Sequence, residues 1–88
     1  MNTYVVSFRD IARSQLRKLP KGLASRIISK AMGLGDNPRP PGSVKLTGAG
    51  NAWRSRVGDY RVVYGINDST KTVEIGIVAH RREVYRDM

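Results

Sequence analysis

This sequence predicts an α+β fold: an N-terminal strand, a two-helix hairpin, then three antiparallel strands forming one sheet covered by the helices. Three observations carry that prediction. Apolar residues alternate over residues 3–8, recur at helical spacing from 8 to 34, and alternate again in three runs between 53 and 79. Gly58-Asp59 joins the first two late runs as a two-residue turn, because glycine supplies the positive φ that a primed hairpin turn requires. Eighty-eight residues suffice for a single domain, residues 1–88, with one modest core.

Taken in order, Tyr4, Val6 and Phe8 share one side of the first strand. Phe8, Ile11, Ala12, Leu16 and Leu19 then follow helical spacing, and Arg9, Arg13 and Arg17 form a basic ridge at i, i+4 and i+8. Pro20 breaks that helix and can open the next. Leu23, Ala24, Ile27, Ile28, Ala31 and Leu34 make a second apolar stripe with Arg26 and Lys30 outside it, ended by Gly33, Gly35 and Pro38. Residues 36–51, rich in Gly and Pro, form a long connection without periodicity; it lies within the domain, because neither flank could fold alone. Gly48-Ala49-Gly50 is half a dinucleotide fingerprint with no strand before it and no clear helix after it, and it is set aside.

The hairpin over 53–64 is the most informative segment. Pairing Val57 with Tyr60 sets Arg56 opposite Arg61 and Arg54 opposite Val63. Arg54, Arg56 and Arg61 then share one face, while Trp53, Val57, Tyr60, Val62 and Tyr64 take the core face. Like charges set directly opposite on a sheet repel by up to about 1 kcal/mol. The face is therefore either a solvated arginine surface or a site for a polyanion. After a turn at 67–71, Val73, Ile75, Ile77 and Ala79 alternate with Glu74, Gly76, Val78, His80 and Arg82, which lets His80 join the arginine face.

Sixteen Lys and Arg against seven Asp and Glu give a net charge of +9, which favours nucleic acid, acidic membrane or acidic protein partners. Residues 1–50 carry nine basic and two acidic residues, and the rest seven and five, so the arginine face is not the only basic surface. The chain has no cysteine, which excludes a disulfide framework, a thiolate metal site and a cysteine nucleophile, and suits a reducing cytoplasm. His80 is the single histidine and the carboxylates lack ligand spacing, so neither a metal nor a cofactor is expected. The N-terminus lacks the apolar run of a signal peptide, and no stretch approaches the roughly 20 apolar residues of a membrane span. A soluble, cytoplasmic protein with no membrane partner is expected.

Trp-Arg-Ser-Arg-Val-Gly-Asp-Tyr-Arg-Val-Val-Tyr at 53–64 and His-Arg-Arg-Glu-Val-Tyr-Arg at 80–86 resemble the RelE branch of the RelE/ParE toxin superfamily. Phe8 with Ile11 and Ala12, Lys18-Leu19, Pro38, and Lys45-Leu46 with Gly48 fall in that family's order, so the resemblance spans nearly the whole chain. It implies the compact microbial-ribonuclease type of fold. It also implies the toxin of a type II toxin-antitoxin system, an endoribonuclease (mRNA interferase) that enters the ribosomal A site and cuts bound mRNA. By position, Arg54 and Arg56 match the family's basic pair, Arg61 its transition-state arginine, Arg81 the following arginine and Tyr85 the near-C-terminal tyrosine. Some relatives have lysine where this chain has Arg54, Arg56 and His80, and arginine cannot take over a lysine's proton transfer. The implied partners are a RelB-like antitoxin, the ribosome with its rRNA, and operator DNA through the toxin-antitoxin complex.

Metal-free RNA cleavage needs a base for the 2′-hydroxyl, cations around the phosphorane and an acid for the departing oxygen. Arg54, Arg56, Arg61 and Arg81 stay protonated and serve the phosphate, with Arg82 beside them. Proton transfer falls to His80 or Tyr85, whose unperturbed values are about 6.5 and about 10, or to the carboxylates Glu83 and Asp87. Which group is acid and which base stays open. Arg9, Arg13 and Arg17 are a solvated ridge or a contact to ribosomal RNA. Two rivals remain: a ParE-like toxin that inhibits DNA gyrase by protein contact, and a basic nucleic-acid-binding module without catalysis.

Overall fold

In the computed structural model, which describes residues 3–46, 48 and 50–82, the chain runs β1 (Val5–Phe8), α1 (Asp10–Arg17), α2 (Lys21–Gly33), β2 (Val44–Lys45), β3 (Ala52–Val57), β4 (Tyr60–Asn67) and β5 (Thr72–His80). One five-stranded sheet has the order β1-β5-β4-β3-β2, with β1 parallel to β5 and the other neighbours antiparallel. The expected α+β architecture is present. The sheet gains one strand over the sequence reading, since β2 lies in the 36–51 connection. Two exposed residues are too few to show a period.

Both helices pack on one sheet face. Ala12 and Leu16 from α1 and Ile27 and Ala31 from α2 meet Val62, Tyr64, Val73 and Ile75 in the main core. Ile11 and Ile28, assigned to the apolar stripes, are instead 51% and 41% exposed, because α1 buries only the narrow arc of Ala12 and Leu16, and α2 only that of Ile27 and Ala31. On the other face Leu46, Val63 and Ala79 form a small cluster with Ala52 and Ile77, and neither helix covers it. Among the described residues the sheet therefore keeps one face open. None of the described helices is long and apolar enough to cross a membrane.

A β-bulge breaks the alternation of β5. Val63 pairs with Ile77 but Tyr64 pairs with Ile75, which leaves Gly76 unopposed. Before the bulge Val73 and Ile75 face the helices; beyond it Val78 does, and Ile77 and Ala79 turn to the open face. The expected single parity from Val73 to Ala79 is thus overturned by one inserted residue. Gln15 of α1 fastens the segment, its Oε1 accepting from the Val78 backbone N–H at 2.7 Å.

The long connection is tied down at two points. Buried Tyr64 donates its hydroxyl to the Pro38 carbonyl at 2.8 Å, and burial raises that phenol to about 12, so it stays un-ionised. Next to it, Arg39 makes two hydrogen bonds to Asp68, at 3.3 and 2.9 Å, and its guanidinium lies 5.2 Å from the Trp53 ring centre. Tyr4 adds its hydroxyl to Asp68 Oδ1 at 2.6 Å. The hydrogen bond from Arg39, then that from Tyr4, lowers the Asp68 carboxyl from 3.8 to about 2. The folded chain thus binds this proton more weakly than the unfolded chain, so the stability contributed is complete above about pH 4 and lost as pH falls toward about 2. Melting temperatures of the native protein and Asp68→Asn are expected to differ at pH 7 and to converge by pH 2; a constant gap across that range would remove this role.

Candidate phosphate-binding face

Sequence and turn chemistry together build the site. Gly58 adopts φ +59° while Asp59 keeps an ordinary φ, the pattern of a type II′ turn, and Val57 pairs with Tyr60 as expected. Arg56 consequently faces Arg61, and Arg54 faces Val63. Gly42, Arg54, Ser55, Arg56 and Arg61 line a cavity of about 430 Å³ on the uncovered side of the sheet. Gly42 comes from the connection anchored by Tyr64 and Arg39, so those anchors also place one wall.

Arg61 is the centre of this cluster. Its Nη1 donates to the carbonyls of Gly58 and Tyr60 at 3.4 and 3.3 Å, which turns the guanidinium along the hairpin end. Partial desolvation, then the like charges of Arg54, Arg56 and Arg81, lower its pKa from the ordinary arginine value, while Asp59 acts the other way. An arginine so displaced is still a cation at neutral pH. Its surroundings gain from an anion that neutralises the mutual repulsion. Arg81 joins from the end of β5: its backbone N–H donates to the Asp59 carbonyl at 2.7 Å, and its Nε lies 3.9 Å from Asp59 Oδ1.

Other expected site residues are placed differently. His80 does not share the arginine face. It pairs with Tyr60, and the two rings meet edge to face with centres 5.6 Å apart, on the side where Tyr60 packs against the main core. The bulge at Gly76 causes this, by shifting the parity of β5. His80 Nδ1 accepts from the Arg82 backbone N–H at 3.2 Å, which closes the strand end. Arg82 is exposed, and among the described residues no hydrogen bond or ion pair joins its side chain to the cluster. The ridge of Arg9, Arg13 and Arg17 is also divided. Arg9 precedes the first turn of α1 and borders the open sheet face beside Gly76, whereas Arg13 and Arg17 flank an apolar groove with Phe8, Leu16 and Ile28 on the helix side. Tyr85, Glu83 and Asp87 lie outside the described residues. Among the described residues no group of three or more His, Cys, Asp or Glu is placed to hold a metal ion.

The family model of the ParE toxin of type II toxin-antitoxin systems, parDE, matches residues 6–85. Toxin RelG of Mycobacterium tuberculosis is 34% identical over 84 residues, covering 94% of this chain and 97% of that protein. The toxin of the archaeal RelE-RelB complex from Pyrococcus horikoshii superposes with a TM-score of 0.80 at 32% identity, over 90% of this chain and 96% of that one. The RelBE2 toxin-antitoxin complex of Mycobacterium tuberculosis gives a TM-score of 0.79 at 33% identity, over 90% and 99%. Fold and relatives together define a toxin of a type II toxin-antitoxin system. More narrowly, the chain belongs to the RelE/ParE toxin superfamily and is RelE-like.

Proposed function

We propose that this toxin is a ribosome-dependent endoribonuclease that cleaves mRNA in the A site. The observation that carries the reading is the convergence of Arg54, Arg56, Arg61 and Arg81 at one end of an uncovered sheet face. A messenger phosphate placed among them receives paired N–H donors. As the RNA 2′-oxygen attacks phosphorus, charge grows on the nonbridging oxygens, and Arg61 with Arg81 stabilises it while Arg54 and Arg56 hold the backbone. The P–O5′ bond breaks. The 2′-hydroxyl proton leaves to a base, O5′ takes a proton from an acid, and the ends are a 2′,3′-cyclic phosphate and a 5′-hydroxyl. Tyr85 is assigned to this proton transfer, and His80, turned toward Tyr60, is withdrawn from it. Arg13 and Arg17 are proposed to meet ribosomal RNA through its backbone.

Several relatives of known structure, the archaeal RelE-RelB complex and the RelBE2 complex among them, are toxin-antitoxin complexes, and a RelB-like antitoxin is proposed to bind and silence this toxin, in a complex that also binds operator DNA in the cytoplasm. The alternative is gyrase inhibition by protein contact, favoured by the parDE description of the matching family. Pulse labelling after induced expression separates the two. Cleavage of messengers predicts an early fall in amino-acid incorporation while thymidine incorporation continues. An early fall in thymidine incorporation with translation intact would favour the alternative.

A further inference from the structure

Beyond the arginine cavity, the open face carries a second depression. Along β3 and β4 the register rows on this face are Arg56 with Arg61, Arg54 with Val63, and Ala52 with Gly65. Gly65 in turn faces Glu74. Rows two residues apart are separated by roughly 7 Å, so the Gly65 row lies one step beyond Arg54. Gly65 adds no side chain there, and Gly76 of the bulge adds none beside it. The result is a depression of about 300 Å³ floored by the glycines, with Val63 and Ile77 toward the arginines and Arg9, Asn51 and Glu74 at its border.

Glu74 is what gives this depression chemical character. It is the only acidic residue in any of the five strands, on a chain of net charge +9. It is exposed, and among the described residues no side chain forms a hydrogen bond or ion pair with its carboxylate. A carboxylate on the open face weakens backbone binding to RNA, which calls for a compensating use. A carboxylate accepts hydrogen bonds from amino groups on base edges. Single-stranded RNA presents those edges freely.

We infer that this depression is a nucleobase subsite, in which Glu74 accepts from the Watson–Crick edge of the nucleotide whose 3′-phosphate sits among the arginines. This rests on the reading of the arginine cavity as the scissile-phosphate site. Guanine fits best, since its N1–H and N2 amino group offer adjacent donors to the two carboxylate oxygens. Uracil fits worst, since its single ring N–H lies between two carbonyl oxygens that repel a carboxylate. Val63 and Ile77 supply an apolar wall for the base. Asn51 supplies a further donor and acceptor at the rim.

The test is an amide NMR titration of the whole protein with guanosine 3′-monophosphate, uridine 3′-monophosphate and inorganic phosphate. All three are expected to shift the amides of Arg54, Arg56 and Arg61. Only the guanosine nucleotide is expected to shift Gly65, Glu74 and Gly76 strongly, with about tenfold tighter binding than the uridine nucleotide. Glu74→Gln should bring the two nucleotides to nearly equal affinity while phosphate binding stays or strengthens. Guanosine-nucleotide shifts confined to Arg54, Arg56 and Arg61, with Gly65, Glu74 and Gly76 unmoved, or a guanosine preference unchanged in Glu74→Gln, would overturn the subsite and leave the phosphate site standing. No phosphate shift at the arginines would overturn both.

Discussion

Arg61→Ala is expected to lower mRNA cleavage by at least about 100-fold, the scale on which removal of one preorganised donor to a transition state acts. The reason is positional. Arg61 sits where burial and the charges of Arg54, Arg56 and Arg81 all act on it, so its guanidinium is the one most stabilised by a growing negative charge. Folding should survive, because the side chain projects from the open face and repels its cross-strand neighbour Arg56. His80→Ala provides the contrast, with a loss below about tenfold expected for a side chain outside the chemistry. Single-turnover cleavage on programmed ribosomes, with melting curves for both variants, measures this. A large loss for His80→Ala without destabilisation would return that residue to proton transfer.

Tyr64→Ala should produce the largest loss of stability. Tyr64 is 1% exposed and the largest of the fully buried side chains, and removing a buried aromatic ring costs about 3–5 kcal/mol. For a small domain that is a large part of a total of about 5–15 kcal/mol. Tyr64→Phe isolates the hydroxyl. Without it the Pro38 carbonyl loses its buried donor, at about 1–2 kcal/mol, a fall in melting temperature of roughly 4 to 16 °C. Calorimetry of both variants checks the pair. A Tyr64→Phe protein as stable as the native one would show that the hydroxyl does not hold the connection.

Local signals made the hairpin legible. Gly58 fixes the turn, alternation assigns both faces, and together they give the Arg56–Arg61 pairing without reference to any other part of the chain. The helices were legible for the same reason, since Leu16, Ile27 and Ala31 mark their buried sides. Features that depend on two distant segments were not. The bulge at Gly76 is defined by β4 as much as by β5, and a glycine within a strand was its only trace in the sequence. Because the parity of every later residue depends on it, His80 was assigned to the wrong face. Arg9 fits a helical ridge by spacing, but α1 starts at Asp10, which frees Arg9 to border the sheet. The Arg39–Asp68 bridge joins residues 29 apart, and no periodicity announces such a contact. The arginine cluster was legible because it lies mainly within one hairpin, whereas the depression around Gly65 combines a bulge, a helix cap and a connection.

Cleavage of messenger on the ribosome is read by adding purified toxin to a cell-free bacterial translation reaction and mapping messenger 5′ ends by primer extension, beside naked RNA and Arg61→Ala controls. The expected result is cuts in codon register that need ribosomes and vanish with Arg61→Ala. Intact messenger in the presence of folded toxin would rule out a ribosome-dependent endoribonuclease.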